Sequence, residues 1–143
     1  MNLVTNGFGY LLWQSLSNSL KSPNTLHCYD DRQRKAAESF SRGFSDTNIS
    51  YFFNLDAPAT DPQQILMGDR NLWADGSAAR HGLLTVSSNT VLGWARIGCH
   101  QSVGNLLMAD GSCRQVTSNG LNQAFAGAFG ASTKIISARL VIP

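Results

Sequence analysis

Apolar residues fall into two rhythms along this chain. Leu12, Leu16 and Leu20 recur every four positions, and Leu121, Phe125 and Phe129 do the same near the other end. A repeat of four places side chains on one face of an α-helix. The pattern therefore predicts a helix over residues 9–20 and a second over 121–129. Thr5 or Asn6 is placed to cap the first, and Ser118 or Asn119 the second. The Ser22-Pro23 step ends the first, because the residue before a proline avoids the helical region. Between the two helices the rhythm shortens to β-type runs broken by Gly, Pro, Asn and Asp. These runs are 49–55 (ISYFFNL), 65–67, 82–87 (GLLTVS) and 91–97 (VLGWARI), with 82–87 and 91–97 expected to pair through Ser88-Asn89. Residues 134–142 (KIISARLVI) read as a last strand or an extended tail. Residues 29–48 are polar and aperiodic and read as surface loop or a short helix near 34–40, and 56–62 reads as loop.

The sharpest local signal is Asp110-Gly111, flanked by 105–109 and 112–116. Asp-Gly between two β-type runs predicts a two-residue hairpin whose turn residues both take positive φ. That register pairs Ala109 with Ser112, Met108 with Cys113 and Leu107 with Arg114. Leu106, Met108 and Cys113 then share the core face, and Val116 has the wrong parity for it. The elements together describe one α+β domain over 1–143: an N-terminal helix packed on an antiparallel sheet, with a second short helix near the C-terminus.

Composition narrows the function classes. The chain has 143 residues, 43% of them apolar and only 14% charged, which is enough apolar mass for one real core. A net charge of +2 argues against a nucleic-acid partner. The densest basic stretch, Arg32, Arg34, Lys35 and Arg42, is interleaved with Asp30, Asp31 and Glu38 and reads as a solvated loop. No apolar run approaches the roughly 18–20 residues that a bilayer requires, so no membrane insertion is expected. The first residues lack a basic start and an apolar leader, which as written implies a cytoplasmic location. Cys28, Cys99 and Cys113 form no C-x-x-C pair, and an odd count favours free thiols. Cys113 reads as a packed core thiol; whether Cys99 and Cys113 approach across the hairpin is left open by their spacing.

His100 is the first candidate for chemistry, as a base or a ligand. Against that stands a stiffening role, in which it bonds a backbone carbonyl or a carboxylate near the turn. The second is favoured, because no further His or paired carboxylate lies at ligand spacing nearby. Asp110 is explained by the turn itself. Asp69, Arg70 and Asn71 form a polar cluster in an apolar context, read as an ion pair closing a strand end or as a binding site. A cysteine nucleophile would need His27, His81 or His100. His27-Cys28 and Cys99-His100 are sequence neighbours, which point to opposite faces on a strand. Trp13, Trp73 and Trp94 read as core, with an aromatic-lined pocket as the alternative. Asp56 and Asp61 share a loop suited to calcium but fall short of its ligand number. The reading is therefore a non-enzyme with no catalytic residues, no metal and no cofactor. His100, Asp69, Arg70 and Asn71 are its candidate binding residues, and His100, Asp110 and Gly111 its structural motif.

The segment 98–113, GCHQSVGNLLMADGSC, carries His100, nine residues, then Asp110-Gly111. This H-x9-D-G arrangement resembles a signature of bacterial pseudopilin-like proteins of the type II secretion and type IV pilus group. The stretches ISYFFNLDAPATDPQQILMGDRNL (49–72) and LSNSLKSPNTLHC (16–28) also look like that family, as does Gly93-Trp94 before the histidine, so the likeness spans about 11–125. It implies a pilin-like head that acts through protein contacts, with a second copy or another protein as partner. Anchored relatives would sit in the bacterial inner membrane and periplasm. The chain departs from the pattern at its start. Gly7-Phe8 stands where the cleavage point falls, but Leu12 replaces the expected glutamate, and the residues after it are too polar and few to span a membrane. The expectation is a soluble head without its anchor, and the alternative is a small-molecule or peptide-binding module.

Overall fold

Alternating burial in the middle of the chain builds the frame. In the computed structural model, which describes residues 9–58, 60–131 and 135–143, Gly104, Leu106 and Met108 point inward from one strand and their neighbours do not. Nine strands form among the described residues: β1 (Tyr51–Asn54), β2 (Ile65–Asp69), β3 (Leu72–Ala74), β4 (Ser77–Ala78), β5 (Gly82–Ser87), β6 (Leu92–Trp94), β7 (Val103–Met108), β8 (Cys113–Thr117) and β9 (Ser137–Ile142). Six of them make one antiparallel sheet in the order β5-β9-β1-β2-β7-β8, and the other three a small sheet ordered β4-β3-β6. The fold is thus mixed helix and antiparallel sheet.

The long helix is C-terminal: α3 (Ser118–Ala131). The N-terminal segment forms only two short pieces, α1 (Tyr10–Ser15) and α2 (Ser17–Leu20), separated at Leu16, whose φ of −93° and ψ of 6° leave the helical region. That break overturns the single helix expected over 9–20. The Leu12, Leu16, Leu20 stripe fails at its centre, since Leu16 faces solvent while Leu20 packs against the cluster that holds Trp13. Leu16 is 42% exposed, and Trp13 is the buried anchor instead. Thr5 and Asn6, the expected caps, lie outside the described residues. At the other helix Leu121 and Phe125 are buried as their spacing predicts. The cap is Thr117, whose Oγ1 accepts from the Gly120 N–H at 3.2 Å. The Ser118 hydroxyl faces elsewhere and accepts from the Trp94 N–H at 3.0 Å.

The large sheet is covered on both faces. On one, Leu121 and Phe125 of α3 meet Phe52, Ile65, Leu106, Leu140 and Ile142, with Leu72, Leu92 and Trp94 of the small sheet in the same core. On the other, Trp13, Leu26, Phe44 and Ile49 enclose Phe53 and Met67, and Trp13 stands edge-on to Phe53 at 5.6 Å. A free strand edge needs partners, and α3 provides them for β6. Asn122 both donates to the Leu92 carbonyl (2.7 Å) and accepts from the Leu92 N–H (2.9 Å).

Several local expectations are corrected. Strand 82–87 does not pair with 91–97: β5 pairs with β9, and β6 pairs with β3. Of the two readings of the C-terminal run the strand is the one that forms, inside the large sheet between β5 and β1; Lys134 lies outside the described residues. A second Asp-Gly hairpin forms: Asp75 (φ 49°) and Gly76 (φ 82°) join β3 to β4. Residues 34–40 form no helix. The polar loop is not simply solvated either. Asp31 is buried, and Arg34 donates to the carbonyls of Ile49 (3.2 Å) and Pro143 (2.7 Å).

The Asp110-Gly111 hairpin forms, one residue out of the expected register. Leu107 faces Cys113 and Leu106 faces Arg114. The Met108 carbonyl accepts from the Gly111 N–H (3.0 Å) and the Met108 N–H donates to the Ser112 carbonyl (2.9 Å). Gly111 alone of the pair takes positive φ, at 82°. This is a three-residue loop in which a turn is followed by a left-handed glycine bulge. A one-residue slip exchanges the faces of a strand. Cys113 is consequently exposed rather than core, and Val116 packs against the core.

Candidate functional site

Three chain segments converge on His100. The first is the turn after the 3-10 helix Pro23–Leu26, which carries Cys28, Asp30 and Asp31. The second is the end of β2, where Asp69 is followed by Arg70 and Asn71. The third is the β6–β7 connection itself. There His100, Gln101 and Ser102 take φ of 51°, 41° and 71° in succession. Non-glycine residues seldom adopt this left-handed region, and three in a row persist only where the surroundings hold them. The hold is visible. Asn71 Nδ2 donates to the carbonyls of Cys99 (2.7 Å) and Ala95 (3.1 Å) and pins the start of the connection.

His100 Nε2 lies 3.4 Å from Cys28 Sγ and 3.7 Å from Asp69 Oδ2. On the far side of the ring, Nδ1 lies 3.4 Å from Asp30 Oδ2. An ionised Asp30 can only accept, so it favours the proton on Nδ1 and leaves the Nε2 lone pair facing the thiol and Asp69. The His100 side chain is 25% exposed and Asp69 is wholly buried. Asp69 Oδ2 accepts from Asn105, at 2.6 Å from the backbone N–H and 3.2 Å from the side chain. Its Oδ1 is buried with no hydrogen-bond partner. Burial pushes the Asp69 carboxyl above the usual carboxylate range, against the pull of the Asn105 donors and of His100.

The neighbouring groups are settled. Arg70 turns away from Asp69 and forks onto Asp31, with both hydrogen bonds at 2.7 Å, and adds Gln33 at 2.9 Å. Burial opposes the charge on Asp31, but Arg70 outweighs it and holds the carboxyl below its ordinary range. Burial, reinforced by the Asp31 and Asp69 carboxylates, pushes the Cys99 thiol far up. Tyr51, opposite Asp69 in the sheet, is raised by burial to about 12. Both remain protonated at neutral pH.

The fold therefore brings His100 and Asp69 together and puts Arg70 and Asn71 beside them as clamps on the two converging loops. Asp110 and Gly111 stand apart. Asp110 Oδ1 accepts from the Ser112 N–H at 2.8 Å, and His100 makes its contacts with side chains of Cys28, Asp30 and Asp69 rather than with the turn. The weighed pairs His27-Cys28 and Cys99-His100 were the wrong combinations: one member of each meets across 72 residues. Asp30 and Asp31 carried no local sequence signal, since a polar loop with alternating charge looks solvated. Trp13 and Trp94 are buried in the two cores, and Gly93 lets the Trp73 ring lie directly on the backbone of β6. In the loop considered for calcium, Asp56 is taken by Arg139, and Asp61 accepts from Gln63 and Gln64. No protein-family model, no curated protein and no solved structure matches the chain, so the meaning of this site rests on its own residues.

Proposed function

We propose that this chain is a non-enzymatic, pseudopilin-like head domain that works through protein contacts, self-association foremost. In this reading the N-terminal helical segment covers one face of the sheet, and the H-x9-D-G segment is a brace. Its His100 end is locked to two other segments, and its Asp110-Gly111 end shapes the last hairpin of the large sheet. The observation that carries the reading is the state of that hairpin. Strand β8 is the last strand of the sheet, and Cys113, Arg114, Gln115 and Thr117 on it are exposed. The Ser112 carbonyl bonds inward to Met108, so by alternation residues 113, 115 and 117 turn their backbone groups outward. An unpaired strand edge of this kind is a template for another chain.

A groove of about 420 Å³ beside that edge favours a peptide as a second reading. Its floor is Leu106, Met108 and Val116, and Arg114, Gln63 and Gln123 supply polar atoms. Sedimentation velocity over a concentration series tests the main proposal. Association that grows with concentration and weakens in Gln115→Pro, which removes an outward N–H from the edge, supports it. A strict monomer throughout, with the variant indistinguishable from the parent, removes self-association.

A further inference from the structure

We propose that Cys28, Asp69 and His100 are the ligands of a thiophilic divalent cation, of which Zn2+ fits best, with Asp30 orienting the histidine from outside the first coordination shell. One thiol sulfur, one carboxylate oxygen and one imidazole nitrogen lie within 4.8 Å of one another. Tetrahedral zinc holds S, N and O donors at about 2.0–2.3 Å, which puts ligand atoms roughly 3.3–3.6 Å apart. Two edges of the cluster are already near that size, at 3.4 Å for Cys28–His100 and 3.7 Å for His100–Asp69. Asp30 at Nδ1 is the carboxylate–histidine arrangement that fixes a metal-binding tautomer and leaves Nε2 free to ligate.

Two further observations point to a ligand. Asp69 is wholly buried, no Lys or Arg pairs with it among the described residues, and its Oδ1 has no partner. A buried carboxylate in that state has only the His100 ring, 3.7 Å away, to offset its charge. On binding, the Cys28 proton leaves to solvent, and Zn2+ with one thiolate, one carboxylate and a neutral imidazole is an electrically neutral group. Among the described residues three protein ligands are present, so the fourth tetrahedral position falls to water.

The test uses the whole chain with Cys113→Ser, which removes the exposed thiol. Chelator-stripped protein is titrated with Co2+ and then with Zn2+. The expected result is a thiolate-to-cobalt charge-transfer band with visible bands of tetrahedral intensity, reaching a plateau at one equivalent and displaced by Zn2+. Adding Cys28→Ser removes the charge-transfer band. Adding His100→Ala removes a ligand and weakens Zn2+ binding more than Asp30→Asn does, which should cost about 10-fold. Because buried variants can lose the fold, the unsubstituted chain is read as well: Zn2+ should protect Cys28 from alkylation, mapped by mass spectrometry. No charge-transfer band, a band that survives Cys28→Ser, or Cys28 alkylated equally fast with and without Zn2+ overturns the proposal. The readout is independent of the association described above, since Gln115→Pro should bind Zn2+ like the parent.

Discussion

The two ends of the His100–Gly111 segment solve their conformational problems in opposite ways. At the Asp110-Gly111 end everything needed is local. Glycine supplies the one left-handed residue, Asp110 accepts from the Ser112 N–H two residues on, and both turn residues are exposed. At the His100 end three left-handed residues are forced without a glycine among them, and the groups that hold them come from positions 28, 30, 69 and 71. A turn that stabilises itself constrains only its own strands. A connection that must be held by other segments ties those segments together, and concentrates buried charge where it does so.

Breaking the hold from outside should have the largest effect. Arg70→Met keeps the volume of the side chain but leaves the buried Asp31 carboxylate without its fork. Removing one partner of a buried ion pair costs about 3–5 kcal/mol, and we expect a loss of that order in denaturant unfolding. The loss should shrink on acidification below the ordinary carboxylate range. Asp31 is held below that range by Arg70 in the parent, so the pair stabilises the fold above the unfolded carboxylate pKa of about 3.9 and loses that contribution as pH falls through the lowered folded value.

The backbone offers the next contrast. Gly111→Ala puts a Cβ on a residue at φ 82°. There is nothing within 4 Å for that Cβ to strike, so the cost is the left-handed conformation itself, about 1–2 kcal/mol. Gln101→Gly is the mirror experiment. Gln101 is exposed at φ 41°, and glycine relieves its strain but frees the unfolded chain, for a net gain of about 0.5 kcal/mol. Thermal melts of both variants against the parent check the pair. Equal and same-signed shifts would show that the two ends are not opposites after all.

What the sequence discloses follows the same division. The hairpin, the strands 49–55 and 82–87 and the Leu121–Phe125 face of α3 depend on spacing over a few residues, and spacing survives in any tertiary context. The hairpin register was misread because Asp-Gly serves both a two-residue turn and a three-residue loop with a glycine bulge, and only pairing tells them apart. The choice of Trp13 as anchor depends on Phe53 and Met67 lying across the core. The partners of His100 were beyond local reading for the same reason. Cys28 is 72 residues away, and its adjacent His27 and the Cys99 beside His100 offered nearer but incompatible pairings. What did stand out was Asp69-Arg70-Asn71, an unusually polar cluster at the end of an apolar strand. All three residues act at the site, each on a different neighbour.

The smallest effects separate the carboxylates themselves. Asp69 and Asp110 are both held by N–H donors, yet burial raises the first carboxyl, while the Ser112 donors lower the exposed second. A folded pKa raised above the unfolded value means that the metal-free fold binds a proton the unfolded chain releases. The Asp69 contribution therefore improves as pH falls from the raised value towards about 3.9, and is a penalty at neutral pH. Asp69→Asn keeps an oxygen for the Asn105 backbone N–H and removes the charge. The metal-free variant should be slightly more stable than the parent at pH 7, by less than Gly111→Ala loses, and the difference should vanish on acidification. Asp110→Asn retains the turn acceptor at an exposed site and should leave the melt unchanged at pH 7. Denaturant unfolding of both variants at pH 7 and pH 4 decides the matter. If Asp69→Asn is the destabilised one at pH 7, then the Asn105 and His100 contacts outweigh burial in the free chain, and Asp69 is anchored there as a structural acceptor in its own right.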